Sequence, residues 1–294
     1  MIQLIRKDPN HPVLNDRTEN IGGLPLRTLT FPALEAAGCV DHVFTTREGG
    51  VSSGDCTAMN FNYDREDNPM VVDANYQRIA DAFGGGRSLR HFVCAHQGHT
   101  GNVRVVDEND GGEGTLFRRW GKDVDGMVTD TPGLILGVFT ADCTPVYLVD
   151  PVHRAIGLVH SGWRGTAAGI SAGAIALMRT HYGTDPSDLI CAVGPSICRD
   201  CYEISEDVAA VFRDRFGAQA DQILGDPHRK NGTLHCQLDL WQANRLVLEN
   251  AGVLPEHIQT TDVCTRCNAT LLFSHRAAGE RRGNCAAFLS LKLK

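Results

Sequence analysis

The stretch 134–166, LILGVFTADCTPVYLVDPVHRAIGLVHSGWRGT, places Cys143 just before one apolar run and His160 at the end of the next. If 146–149 and 155–159 pair as an antiparallel hairpin about the turn 150–154, opposed residues carry numbers that sum to roughly 305. Cys143 and His160 then share the open end of that hairpin, a thiol beside an imidazole. Two chemistries use such a pair. As ligands they hold zinc with a third partner, leaving one exchangeable position where water or phosphate is activated. His99, at the end of a separate strand, is the best third ligand, and His96 is its rival. As reactants they form a cysteine nucleophile with its base, as in cysteine hydrolases. A third reading, a scaffold thiol and a hydrogen-bonded histidine, weighs about as much on spacing alone.

The flanking residues add to the pair. Asp142 precedes the cysteine, and the glycine-flanked turn 162–166 opens a helix after the histidine. The first N–H groups of a helix have no partner within it, so such a turn suits an anion, with Arg164 as a second contact. Arg47 ends a short strand that runs into Gly49-Gly50, and its planar fork suits phosphate or carboxylate. Cys198-x-x-Cys201 and Cys264-x-x-Cys267 together offer the four thiolates of a structural zinc site. Their separation far exceeds that of a compact zinc ribbon, so unpaired thiols are the default expectation. There is no G-x-x-x-x-G-K-[ST], no H-E-x-x-H and no deaminase-type H-x-E with P-C-x-x-C.

The elements that position these residues follow from the hydrophobic pattern. Strands are expected at 26–31, 91–94, 103–106, 125–129, 189–193, 258–263, 271–276 and 285–291. Helices are expected from Asp73 to Phe83, over 166–182, from Ser205 to Phe216 and from Asp239 to Asn250, each with a cap or a glycine stop. Strands alternate with helices and hairpins without an internal repeat or linker. The expectation is therefore an α+β (mixed α/β) fold of layered sheets and helices, in a single domain over 1–294.

The bulk numbers agree. The chain has 294 residues, 42% of them apolar and 21% charged, and a formal charge of −7. That sign argues against nucleic acid and against an anionic membrane surface, both of which reward a basic face. No apolar run of membrane-spanning length or signal peptide is visible, and the eleven cysteines fit reduced thiols, so a cytoplasmic protein is expected.

Several runs together carry a resemblance to a known family: FTTREGGVSSG from Phe44, Asn60, Gln97-Gly-His99, Val124-Asp-Gly126, TADCTP from Thr140, HSGWRG from His160, GPSI from Gly194 and FSHR from Phe273. Over about 40–291 the chain resembles the multicopper-polyphenol-oxidase-like, laccase-domain family, whose members are regarded as purine nucleoside phosphorylases with adenosine deaminase activity. The resemblance implies metal ligands at His99, Cys143 and His160. It implies zinc, with copper once proposed, and a substrate pocket that includes Arg47, Asn60 and the segment Ser274, His275 and Arg276. It also implies a fold shared with cysteine-hydrolase toxins.

The reaction expected is phosphorolysis of inosine, guanosine or adenosine to base and ribose 1-phosphate. Arg47 and the 162–166 turn would hold phosphate, Arg164 would assist, and Asp142 would accept a proton. The same site would deaminate adenosine. A cysteine-histidine hydrolase with Cys143 as nucleophile and a copper-dependent polyphenol oxidase are the alternatives, and the protein is expected to be a monomer or homodimer.

Overall fold

A computed structural model describes residues 2–121 and 123–293. Strands Thr144–Asp150 and Ala155–Ser161 form the expected hairpin, with Val146 opposite Val159 and Pro145 opposite His160. The Asp150 carboxylate closes its turn by accepting the N–H groups of Val152 and His153, each at 2.9 Å. Every residue of both strands is buried. Alternate side chains enter different cores: Tyr147 and Val149 face one, Val146 and Leu148 the other. A strand covered on both faces has no reason to alternate apolar with polar residues, which is why this region reads as continuous apolar runs.

The hairpin lies in the second of two six-stranded sheets. In spatial order the first contains Asn15–Ile21, Leu24–Thr30, Val40–Thr45, Cys285–Leu291, Ile135–Thr140 and Phe92–Cys94. The second contains Ile258–Thr260, Ile190–Val193, Thr144–Asp150, Ala155–Ser161, Gly126–Thr129 and Val103–Val105. Their facing sides share a core in which Val93, Leu136, Val138 and Leu289 meet Met127, Tyr147, Ile156 and Leu158. Helix Pro69–Phe83 covers the outside of the first sheet through Val72, Tyr76, Ile79 and Ala80. Helices Ile170–Tyr182 and Leu240–Asn250 cover the outside of the second through Ala174, Ile175, Met178 and Leu248. The architecture is mixed α+β in layers, as expected. Among the described residues no helix is long and apolar enough to cross a membrane.

Some elements differ from expectation. Asn68, whose side chain accepts the Met70 N–H, starts the first long helix at Pro69 rather than at Asp73. An Asn cap followed by proline at the first helical position is a stronger start than an interior aspartate. The helix expected over 166–182 is two helices, Trp163–Ala168 and Ile170–Tyr182, separated by Gly169 at φ 74°. The segment 271–276 is not a strand. Leu271 to Phe273 are buried, but Ser274 accepts the Ala277 N–H and starts the short helix His275–Ala278. Strand Asn15–Ile21, too polar to stand out, is an edge strand whose hairpin turns at Gly22 and Gly23, both at positive φ. A small sheet of Glu203–Ser205, Thr233–Gln237 and His228–Lys230 occupies a region that reads as loop.

Candidate active site and metal centre

Strand Ile135–Thr140 belongs to the first sheet and Thr144–Asp150 to the second, so Cys143 lies in the short crossing between them. His160 reaches the same place one strand over, opposite Pro145. His99 comes from the loop between Phe92–Cys94 and Val103–Val105. The Cys143 sulfur and one nitrogen of each ring all lie within 4.8 Å of one another, with the two rings edge to face at 5.0 Å. His96 lines the adjoining cavity but stands toward Asp64, at 3.6 Å, so His99 is the histidine brought to the pair.

Strand pairing fixes Cys143 and His160; the His99 loop needs another anchor, and Asp125 supplies it. Its carboxylate accepts the backbone N–H groups of Gly98, His99 and Thr100 at 3.1, 3.0 and 2.7 Å, and the Thr100 hydroxyl at 2.9 Å. It also meets His160 Nδ1 at 2.9 Å, which orients that ring so that Nε2 serves the site. In the sequence Asp125 stands out only as part of Val124-Asp-Gly126. Its neighbour-to-be, His160, is 35 positions away, and no local pattern announces the contact.

The ionisation balance favours a thiolate. Burial opposes charge on Cys143, yet His160 and His99 outweigh it and hold the thiol down at about 6. Burial likewise opposes charge on His160, but Cys143 and Asp125 raise it to about 9. Asp125 is held down at about 2, since His160 and Thr100 overcome the cost of its burial. A sulfur that readily gives up its proton beside two imidazoles is a soft donor set suited to a transition metal. The space fits as well. A Cβ at Gly162 would lie 2.9 Å from Cys143 Sγ and 3.3 Å from His99 Cδ2, so only glycine leaves the three donors room. His99 and Asp142 both adopt positive φ, 59° and 92°, a conformation that costs on the order of 1–3 kcal/mol and needs rigid surroundings.

Cys143, His99, Ala141, Arg65 and Arg282 stand where two cavities meet, one of about 290 Å³ and one of about 380 Å³. The first adds Tyr63, His96, Gln97, Arg118 and Phe139; the second adds Asp142, Trp163, Tyr202, His275 and Arg276. Asn284 Oδ1 accepts from Arg65 at 2.9 Å and from Arg282 at 3.3 Å, so one amide holds both guanidinium groups. Arg282 is 9% exposed and its Nε has no hydrogen-bond partner. Burial, then the Arg65 cation, draws its guanidinium below the ordinary value. An unsatisfied buried donor beside a second cation is arranged for an anion. Neither arginine is a candidate from the sequence: Arg65 sits in a polar loop without local pattern, and Arg282-Gly-Asn284 departs from the Gly-Arg pair that the family resemblance would place there.

The expected substrate residues divide. His275 and Arg276 line the second cavity. Asn60 is fully buried beneath the first, where its side chain accepts the N–H groups of Asn62 and Asn284, both at 3.1 Å. Ser274 is spent as a helix cap. Arg47 is outside both cavities: it donates to the carbonyls of Thr57 and Ala269 at 2.8 and 3.1 Å and stacks on Phe273. It lines a separate cleft with Glu48 and Thr270. Arg164 is exposed and lies over Trp163, and its helix is only six residues long. Asp142 accepts the Thr265 hydroxyl at 2.5 Å and the Arg276 N–H at 2.6 Å, so it ties two loops to the crossing.

The profile of the family described as multi-copper polyphenol oxidoreductase laccase matches residues 41–292. The chain belongs to this family. It is 36% identical over 248 residues to purine nucleoside phosphorylase YlmD of Geobacillus stearothermophilus, covering 83% of this chain and 88% of that protein. It is 34% identical to adenosine deaminase RL5 from an unknown prokaryotic organism, covering 82% and 90%. The crystal structure of the hypothetical protein YfiH of Bacillus licheniformis superposes with a TM-score of 0.83 at 30% identity, over 90% of this chain and 96% of that one.

Proposed function

We propose that the protein is a zinc-dependent enzyme of purine nucleosides. It phosphorolyses inosine, guanosine or adenosine to base and ribose 1-phosphate, and it deaminates adenosine. One observation carries the reading: the donor trio of His99, Cys143 and His160 lines the first cavity, and His99 and Cys143 stand where it meets the second, with Arg65 and Arg282 in the shared wall. The names of the relatives supply the substrate class.

His99, Cys143 and His160 would hold the ion, which when bound supplies a Lewis acid with one exchangeable position. The chain's own groups do the rest. Arg65 and Arg282 take the phosphate dianion, the part first expected of Arg47 and Arg164. The Arg282 Nε gains the acceptor it lacks, and a phosphate oxygen attacks the anomeric carbon as the bond to the purine nitrogen breaks. Tyr63 and Phe139 offer aromatic faces to the base, while His96 and Gln97 offer polar edges. His275 and Arg276 close the other side, and Asn60 and Ser274 hold the lining in place. Asp142, beside Cys143 in the chain and in the wall of the second cavity, is the proton acceptor. In deamination water adds to the purine C6 while Asp142 takes one water proton and passes it to N1; the second water proton goes to the amino group, which leaves as ammonia and gives the 6-oxo base.

The test is turnover of inosine and adenosine by the purified protein, with and without phosphate. Free base with ribose 1-phosphate should form only when phosphate is present. Chelation should stop the reaction and zinc should restore it. R282A should raise the apparent KM for phosphate at least about tenfold, the loss of one charge-assisted contact, with metal content unchanged. Turnover that survives complete metal removal would sink the proposal.

A cysteine-hydrolase reading has its own support, because Cys143, His160 and Asp125 stand in the order nucleophile, base and orienting carboxylate. It expects an alkylating probe on Cys143 to block a metal-free activity. Copper-dependent phenol oxidation has less support, since reducing dioxygen to water takes more electrons than a single three-ligand copper supplies.

A further inference from the structure

Strands Ile190–Val193 and Ile258–Thr260 are parallel neighbours, with Cys191 opposite Ile258 and Val193 opposite Thr260. The chain therefore leaves both in the same direction. Pairing continues past their ends, where Ser196 bridges Cys264 and the Thr265 N–H donates to the Ser196 carbonyl at 3.1 Å. Each of these extensions runs into a C-x-x-C loop. Two pairs of cysteines 66 positions apart in the chain are thus laid side by side, against the expectation that they stay separate.

The four sulfurs of Cys198, Cys201, Cys264 and Cys267 all lie within 4.8 Å of one another. Cys201 and Cys267 approach to 3.6 Å, well beyond the roughly 2.05 Å of a disulfide. The N–H groups of Cys198 and Cys267 both point at Cys264 Sγ, at 3.3 and 3.4 Å, the backbone donors that a metal-bound thiolate at this position would accept. Cys198 and Cys264 are buried, while Cys201 and Cys267 are half-buried. Lys7 and Arg266 place cations beside Cys198 and Cys201, which offsets the charge of four thiolates.

We propose that Cys198, Cys201, Cys264 and Cys267 form a second metal site, a tetrathiolate centre for a zinc-class divalent ion that is structural and separate from the catalytic trio. Four protein ligands leave no position for substrate, which is the pattern of structural zinc. What such an ion would brace is visible. The Ile197 N–H donates to the Asp142 carbonyl at 3.0 Å, and Thr265 holds the Asp142 carboxylate. Arg276, which lines the second cavity, donates to the Cys201 carbonyl at 3.5 Å. The ion would pin two loops that meet only beyond the ends of their strands, and those loops set the wall beside Cys143.

The deciding experiment uses the full chain with the trio disabled, H99A/C143A, so that its outcome is independent of the catalytic proposal. Purified under reducing conditions, this variant should hold one equivalent of zinc. Loaded with cobalt, it should show the intense sulfur-to-metal charge transfer of a tetrahedral four-sulfur site. Wild type should hold two equivalents, and C201S/C267S on the wild-type background one, without the four-sulfur spectrum. If C201S/C267S does not fold, the cobalt spectrum of H99A/C143A still decides. An H99A/C143A protein that binds neither zinc nor cobalt, or whose four cysteines prove to be two disulfides, overturns the proposal.

Discussion

Three backbone N–H groups, a hydroxyl and an imidazole converge on the Asp125 carboxylate. An amide in its place has one acceptor atom instead of two and turns a donor toward the N–H groups. D125N should therefore loosen both the His99 loop and the His160 ring. Metal affinity is expected to fall about 10- to 100-fold, as read by competition with a chelator, with the circular dichroism unchanged; an unaltered affinity would remove Asp125 from the account. His42 makes a different prediction, for stability. It is buried in the first sheet, where its Nε2 accepts the Phe31 N–H at 2.7 Å. Burial first, then the cations of Arg17 and Lys292, pushes it down to about 3. An unfolded histidine takes its proton near pH 6.5. Below that pH the unfolded chain gains a proton that the folded one refuses, so stability is full above about 6.5 and falls as the pH drops toward the folded value. The slope is about 1.4 kcal/mol per pH unit. H42Q keeps an acceptor for Phe31 and should flatten this acid limb in urea titrations at pH 7 and pH 5; an equal slope in both proteins would contradict it.

At the scale of elements, the junction from strand Ala155–Ser161 to helix Trp163–Ala168 turns at Gly162, whose φ of −70° any residue tolerates. G162A should therefore fold with little change in melting temperature, yet its methyl group would crowd Cys143 and His99. Metal content should drop while the unfolding curve stays in place, and a fully loaded G162A would show that the donors have more room than the geometry allows. The central hairpin and the strand Cys285–Leu291 were legible in the sequence because long apolar runs have few alternatives to a doubly buried strand. The run from Leu271 to Phe273 misled for the same reason: its burial was legible, but a serine cap and Gly279 at φ 68° decide the conformation. Cys143, His160 and His99 were legible by spacing and by resemblance. Asp125, Arg65 and Arg282 were not: Asp125 and Arg65 act on residues far away in the chain, and Arg282 is marked only by its burial beside Arg65. The meeting of the two C-x-x-C loops depends on a parallel strand pair, which spacing does not encode.

At the scale of the whole molecule, the sheets share one core and the site lies on their seam, where the chain crosses from one to the other at Cys143. A chain of net charge −7 gathers Arg65, Arg118, Arg276 and Arg282 around these cavities, balanced by Asp64, Glu113, Asp142 and Glu280 in the same walls, so the cations there are local features of the lining and not a basic face. The seam also has a temporal side. Cys285–Leu291 sits in the middle of its sheet, between Val40–Thr45 and Ile135–Thr140, although it is the last strand in the described chain. During synthesis its two neighbours emerge from the ribosome long before it and wait with open, hydrophobic edges, the situation most exposed to wrong pairing. Chains ending before Cys285 should collect in the insoluble fraction, and a soluble, metal-binding 1–284 fragment would refute this. The strand that leads into Cys143, Ile135–Thr140, gains its neighbour on that side only when Cys285–Leu291 has been made, so order of birth places the completion of this seam after the synthesis of every residue of the donor trio.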